Sequence, residues 1–332
     1  MTGPRLDSWR HDRDLVLNRN DDYWGRRPTL TRVEYTLFTG SAAALIAAYR
    51  RDEVDATLVP AESADEIRAD ERLQKELRSF SRSGTWLIVV NHRRPWLQDR
   101  RVRQALGMAL DREQLAREVW RAPFRPATSL QPEGIIGRRP ELWPTESITR
   151  ARDLLAAAGY PDGRELPELS FAYSALGQHK LVGEYLQERW RQTLGVRVRL
   201  DVREQSAFLQ WIHEPAWTMQ GDLYWIEWTS DYEDSHNWYD TLWDSAADPG
   251  HLNGGWVNPA YDALVHRARG EAEPATRRAL YEQAEGLLAH DYVHIPVLYD
   301  QAEMPVKPYV KNLTLARVMG HTSLAMVSVE DH

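Results

Sequence analysis

Trp228, Thr229, Ser230, Asp231 and Tyr232 set one carboxylate between aromatic rings, just after a stretch, 223–228, that reads as a β-strand. A carboxylate beside ring faces suits an ammonium or guanidinium that also carries apolar surface. Charge-assisted hydrogen bonding and cation–π attraction both favour it. In open α/β sheets ligands gather beyond the carboxyl ends of strands, which is where Asp231 falls. The surrounding segment strengthens the pattern. Glu204 to His266 contain no Lys and no Arg, yet hold eleven acids and seven of the chain's 14 Trp. The whole chain has 41 basic and 49 acidic residues, a net charge of -8, so the acidity is concentrated here. The competing reading is a solvated acidic face whose aromatics are core and whose Asp231 caps the next helix.

Other chemistries find less support. Asp231, Asp234, His236 and Asp240 offer donor atoms, but their spacing matches no metal loop, and no metal is predicted. His290 and His294 lie four apart across a helix end and a strand, and need not share a face. Ser129, Ser174 and Ser206 have no glycine-rich elbow around them. Gly134 and Gly137 lead into Arg and Pro rather than into a phosphate-cradling helix. No nucleophile–base pair and no cofactor site stand out, so an enzyme is not expected. The chain has no Cys, which removes disulfides and thiolate chemistry. Mild acidity without a basic stripe argues against nucleic acid as a partner. No apolar run has transmembrane length, and the opening residues read as no secretory signal.

These side chains need a scaffold. At 332 residues the chain is long enough for more than one lobe. Strands are expected at 32–38, 54–59, 85–90, 169–173, 196–202, 223–228 and 293–300. Helices are expected from Ser41 to Arg51 and at 63–76, 99–110, 112–120, 148–158, 180–194 and 206–213. Two more start at Asn258-Pro259 and Glu273-Pro274, where a polar cap precedes Pro at the first helical position. Asp111 with Gln114 forms a capping box, Ser147 is a cap, and Gly159 and Gly195 are stops. Residues 121–145 hold five prolines and read as a long loop. Alternating strands and helices predict an α/β fold with mostly parallel strand connections.

Taken in order, several landmarks resemble the bacterial extracellular solute-binding proteins of family 5, the peptide-binding components of ABC importers. Thr2-Gly3-Pro4, Trp9, Leu17 to Asn20 and Tyr23-Trp24-Gly25 resemble the family's "GP…W…L.RN..YW" segment. Asp52 to Asp55 resemble its "GEVD" turn, with Asp52 in place of Gly. Asn91, Asp99 to Leu106 and Ala109 to Arg112 are similar to its most specific stretch. Ala151 to Gly163, Arg278 to Tyr281, Ile295-Pro296-Val297 and Pro308 to Lys311 complete the series over essentially the whole chain.

The resemblance implies a periplasmic-binding-protein-like α/β fold (type II, cluster C). Part of lobe I would lie at 1–88 and 298–332, a complete lobe III at 89–297, and hinge crossovers near 89–91 and 297–298. Lobe II would be absent, because family members carry a leader and this lobe before the segment with which this chain begins. It implies capture of peptides for transport, with Asp231 after Trp228 receiving the terminal ammonium. Asp231-Tyr-Glu-Asp-Ser235 lacks the prolines of the family's "DYPDP". Trp225, Trp228, Tyr232, Asp234, Trp238, Tyr239 and Trp256 are the expected walls and neighbours, some of them core. The implied partners are permease subunits of an ABC transporter, with membrane contact only through these or a lipid anchor, in an extracytoplasmic location. Two alternatives stay open: the same fold holding a dipeptide, an oligosaccharide or a chelated metal, and a non-transporting sensor or relic domain. A partial lobe I would also expose sheet edges and apolar faces and so favour association.

Overall fold

A computed structural model describes residues 4–37, 42–60, 63–214, 220–247, 252–318 and 322–331. The cap expected from Ser41 and the Thr2-Gly3 pair lie outside these residues, as does Trp217. The chain packs as two units. One comprises Met1–Arg82, Arg121–Pro123 and Gln301–His332; the other comprises Ser83–Trp120 and Phe124–Asp300.

In the first unit β1 (Arg5–Arg10), β2 (Asp14–Asn18) and β3 (Arg32–Thr36) form an antiparallel sheet in that order. Strand β1 is exposed along its length, and Leu6, Trp9, Trp24 and Tyr35 present apolar surface. Helices α1 (Ala42–Arg50), α2 (Ala64–Ala69) and α3 (Glu71–Glu76) close over Ile46, Tyr49, Ile67 and Leu73. The single helix expected at 63–76 is thus two, because Asp70 leaves the helical conformation and caps α3. Residues 54–59 make one isolated bridge, Ala56 to Val306, rather than the expected strand. Asp52, which stands where the family pattern has Gly, has φ 58. This is the left-handed region, which Asp tolerates better than most side chains. Its carboxylate pairs with Lys307, whose buried ammonium also lies 4.3 Å from the Tyr49 ring centroid. A buried ammonium requires such a partner.

The second unit is built on a six-stranded sheet, of which Leu77–Arg82 and Gln301–Pro305 belong to the first unit. Its strands are β4 (Leu77–Val90), β5 (Arg125–Pro126), β6 (Leu169–Ser174), β7 (Val198–Arg203), β8 (Leu223–Thr229) and β9 (Ile295–Pro305), in the order β5-β9-β4-β8-β6-β7. Its helices are α4 (Pro95–Gln98), α5 (Arg100–Met108), α6 (Arg112–Gln114), α7 (Ile148–Ala157), α8 (His179–Leu194) and α9 (Gln205–His213). Then follow α10 (His236–Trp243), α11 (Pro259–Gly270) and α12 (Pro274–Asp291). The caps predicted at Asp111, Ser147, Asn258 and Glu273 all accept first-turn amide hydrogens.

The sheet is mixed, which corrects the expectation of mostly parallel strands. Strand β6 is parallel to β7 and β8, with α8 and α9 as the crossovers. Strand β4 is antiparallel to β8, and β5 is antiparallel to β9. The parallel strands follow one another through α8 and α9, and parallel neighbours need a crossover of this kind. One face of the β4–β8 ladder packs Leu87, Val89 and Tyr224 against Phe208, Trp211 and Ile212 of α9.

Two further departures bear on function. The helix expected at 112–120 is α only to Gln114 and then widens into a π-helical turn, Leu115–Trp120. The proline-rich stretch is no open loop: Ser129, Leu130 and Gln131 are fully buried. It is tied down by Glu285, which accepts from Ser129 Oγ at 2.9 Å and Trp143 Nε1 at 2.6 Å. Complete burial pushes the Glu285 carboxyl up to about 7.

Candidate functional site

Strand β8 ends at Thr229, and the next residue, Ser230, is fully buried and pinned to β4: its amide donates to the Ser83 carbonyl, and the two hydroxyls lie 2.8 Å apart. The chain then turns through Asp231 to Asp234 into α10. Asn237, in the first turn of that helix, closes the turn. Its Oδ1 accepts from the Asp231 amide at 2.9 Å, and its Nδ2 donates to Asp231 Oδ2 at 3.2 Å. Trp228 Nε1 donates to the Asn237 carbonyl at 3.2 Å, so strand end, turn and helix are held by one buried residue. The Asp231 carboxylate itself is exposed and has no cationic partner among the described residues.

The neighbouring acids are differently placed. Asp222 receives Arg94, Trp96 and Ser170. Asp234 is clamped by Arg277 at 2.6 and 2.9 Å, which holds its carboxyl below the usual range. Asp240 accepts from Arg269 at 2.9 Å and Tyr281 at 3.1 Å, and Asp244 from Arg269 at 3.1 Å and His266 at 2.7 Å. Burial raises Asp240, with Arg269 opposing it. Each of these arginines lies outside the basic-free segment in sequence and is brought to it by the fold. Among these five aspartates Asp231 differs in having no arginine.

The expected aromatic neighbours separate into groups. Tyr232 is 44% exposed, with its hydroxyl 2.5 Å from His236 Nδ1. Trp228 is half-buried and lines, with His236, Asp240 and Arg269, a cavity of about 570 Å³. Trp225 faces the other side of the sheet and stacks on Trp86 with centroids 5.3 Å apart. Trp238 is wholly buried and donates to Ser230 Oγ at 2.5 Å, which makes it a support of the turn. Tyr239 is wholly buried and stacks on Tyr281. Trp256 is buried elsewhere in the unit, bonded to Asp291 and packed on Tyr261. Asn237 was not anticipated, because its contact depends on a turn closing over six residues and carries no sequence period. Among the described residues no three His, Asp or Glu side chains gather as a metal site.

Two conspicuous arginines are structural. Arg103, buried, donates to the carbonyls of Leu97 at 2.7 Å, Gln98 at 2.8 Å and Tyr292 at 2.9 Å, and burial lowers it to about 10. Arg112 donates to the Pro296 carbonyl at 2.9 and 3.0 Å. They tie α5 and α6 to the chain entering β9, which accounts for their place in the 99–112 landmark. No helix among the described residues is long and apolar enough to cross a membrane.

Comparison with known proteins gives the family. A probable deoxycholate-binding periplasmic protein of Escherichia coli K12 is 29% identical over 318 residues, covering 93% of this chain and 57% of that protein. The periplasmic oligopeptide-binding protein OppA of Salmonella typhimurium is 28% identical over 319 residues, with the same coverage of 93% and 57%. The chain thus spans a little over half the length of these relatives. The solved structure of HbpA2 from Haemophilus parasuis superposes with a TM-score of 0.84 at 23% identity, covering 98% of this chain and 64% of that one, and this supports the periplasmic-binding-protein-like α/β fold. The family model for the middle region of bacterial extracellular solute-binding proteins, family 5, matches residues 1–250, three quarters of the chain. On its landmarks, its fold and this match, the chain belongs to the bacterial extracellular solute-binding proteins of family 5.

Proposed function

We propose that this chain carries the ligand-capturing part of a solute-binding component of an ABC importer, and that its ligands are short peptides. In this reading the unit of Ser83–Trp120 and Phe124–Asp300 is lobe III, and the other unit is part of lobe I. It works outside the cytoplasm and hands its ligand to permease subunits. Asp231 anchors the peptide's terminal ammonium, Tyr232 and Trp228 flank it, and Asn237, Trp238 and the Asp234–Arg277 pair hold the turn in place.

The observation that carries this is the contrast among the aspartates flanking β8 and on α10. Asp222, Asp234, Asp240 and Asp244 each have an arginine, whereas Asp231 is oriented by Asn237, exposed, and without a cation. A carboxylate fixed in this way is ready to bind a cation from outside with little reorganisation. The names of relatives add weight, since several are oligopeptide- or dipeptide-binding proteins. The test is calorimetric titration of the folded protein with a pool of short peptides and with the same pool N-acetylated. Heat from the free peptides alone is the expected result. Equal heat from both would remove the ammonium anchor.

A further inference from the structure

On the face of the β4–β8 ladder opposite α9, five side chains of the second unit form a continuous aromatic cluster: Trp86, Trp120, Phe124, His179 and Trp225. Trp86 stacks on Trp225 at 5.3 Å and 16°, and Trp120 touches Trp86 at 4.6 Å, Trp225 at 5.8 Å and Phe124 at 5.1 Å. His179 meets Trp86 at 5.2 Å and Trp120 at 5.8 Å. The π-helical turn ends on Trp120, and such turns recur at functional sites because they re-aim a side chain. Trp86, Phe124 and His179 are only half-buried, so ring edges can be reached.

Three features point to what the cluster receives. Trp86 Nε1 and Trp225 Nε1 are buried donors with no protein partner. An orphaned buried donor is costly, and a ligand acceptor would satisfy it. None of the five side chains carries a positive charge, because burial lowers His179 and keeps it neutral. The flanking charges are also wrong for an anion. Glu227 lies opposite Trp86 on the same face. Arg125 and Lys180 are tied to Glu133 at 3.2 Å and Glu184 at 3.8 Å. A free carboxylate set among these rings would lose its hydration and find no cation among them.

We propose that the cluster binds the end of the ligand distal to the ammonium, and that this end is an uncharged, ring-bearing group with hydrogen-bond acceptors rather than a free carboxylate. The inference rests on Asp231 as the ammonium anchor. Trp225 precedes Asp231 by six residues on β8 and its following turn, so the two lie at most about 20 Å apart. An extended ligand of roughly three to six residues bridges that span. The selected ligands are therefore C-terminally blocked or aromatic-ended peptides.

The test is calorimetry with Ala-Ala-Phe-amide, Ala-Ala-Phe free acid, Ala-Ala-Ala-amide, and the N-acetylated form of each. The expected result is at least tenfold tighter binding of the Phe amide than of its free acid, weaker binding of the Ala amide, and loss of binding on acetylation. Trp86→Ala should bring amide and acid within about threefold, Trp86→Phe should keep the preference, and thermal unfolding should confirm that both variants fold. Equal or tighter binding of the free acid overturns the inference, and loss on acetylation would then leave the Asp231 anchor standing. Undiminished binding of the acetylated amide overturns the anchor instead. No binding of any probe to the folded protein up to millimolar concentration overturns the inference for this chain.

Discussion

Glu285→Gln should make the second unit more stable at neutral pH, and the gain should disappear in acid. Glu285 is wholly buried on α12 with no cation bonded to it. One oxygen accepts from Ser129 and Trp143; the other makes no well-formed hydrogen bond, although the Tyr239 hydroxyl lies beside it, also unsatisfied. Burial lifts the carboxyl from its ordinary 4.5 to about 7. A raised carboxyl binds more protons folded than unfolded between those values, so stability falls as pH rises from about 4.5 to about 7 and is level above. The full difference of about 2.5 pH units corresponds to about 3 kcal/mol, of which about 2–3 kcal/mol falls between pH 5 and pH 8. Glutamine keeps the acceptor for Ser129 and Trp143 and removes the ionisation. Urea denaturation of both proteins at pH 5, 6, 7 and 8, followed by far-ultraviolet circular dichroism, reads the difference directly. The variant should gain steadily from pH 5 to pH 8. A wild-type-to-variant difference that stays flat within about 0.5 kcal/mol would refute the burial argument.

Asp231→Asn should weaken binding of free-amine peptides at least thirtyfold without moving the thermal midpoint, because the carboxylate is exposed and Asn retains an acceptor; calorimetry and a melting curve check both halves. Asn237→Ala should weaken the same peptides by about tenfold while Asp231 remains in place, since it frees the turn rather than removing the charge. Arg277→Met should leave Asp234 part-buried without its partner and cost about 1–3 kcal/mol in denaturant unfolding. Gly137→Ala should destabilise by about 2 kcal/mol or more, because φ is +87 and the added carbon would lie 2.3 Å from Tyr281 Cβ and 2.8 Å from its backbone carbonyl carbon; an unchanged melting curve would contradict that packing.

Local signals in the sequence were sufficient wherever the physics is local. The caps at Asp111, Ser147, Asn258 and Glu273 act within three residues and were legible, as were the glycine stops of α7 and α8. The apolar run of β4 after Gly84 was legible, but its first half, Leu77 to Ser83, was not, because small polar residues there take their strand conformation from pairing rather than pattern. Helix α10 went unread for a related reason: aromatics crowd its sequence, and its start is secured by Asp234 and its partner Arg277, forty-three residues away.

The sequence by itself determined the family, the α/β class and the concentration of carboxylates and rings around Asp231. It could not determine which of those groups were available. Charge density along the chain counts acids, but availability depends on which arginines arrive from other helices, and only the tertiary structure brings Arg94, Arg269 and Arg277 to Asp222, Asp234, Asp240 and Asp244. Likewise the tryptophans read as one group, yet sheet alternation sends Trp225 and Trp228 to opposite faces, and folding gathers Trp86 and Trp120 from over a hundred residues away against Trp225. Partnership across long sequence separations is a property of the packed chain, because pairing energies depend on distances that no local pattern encodes.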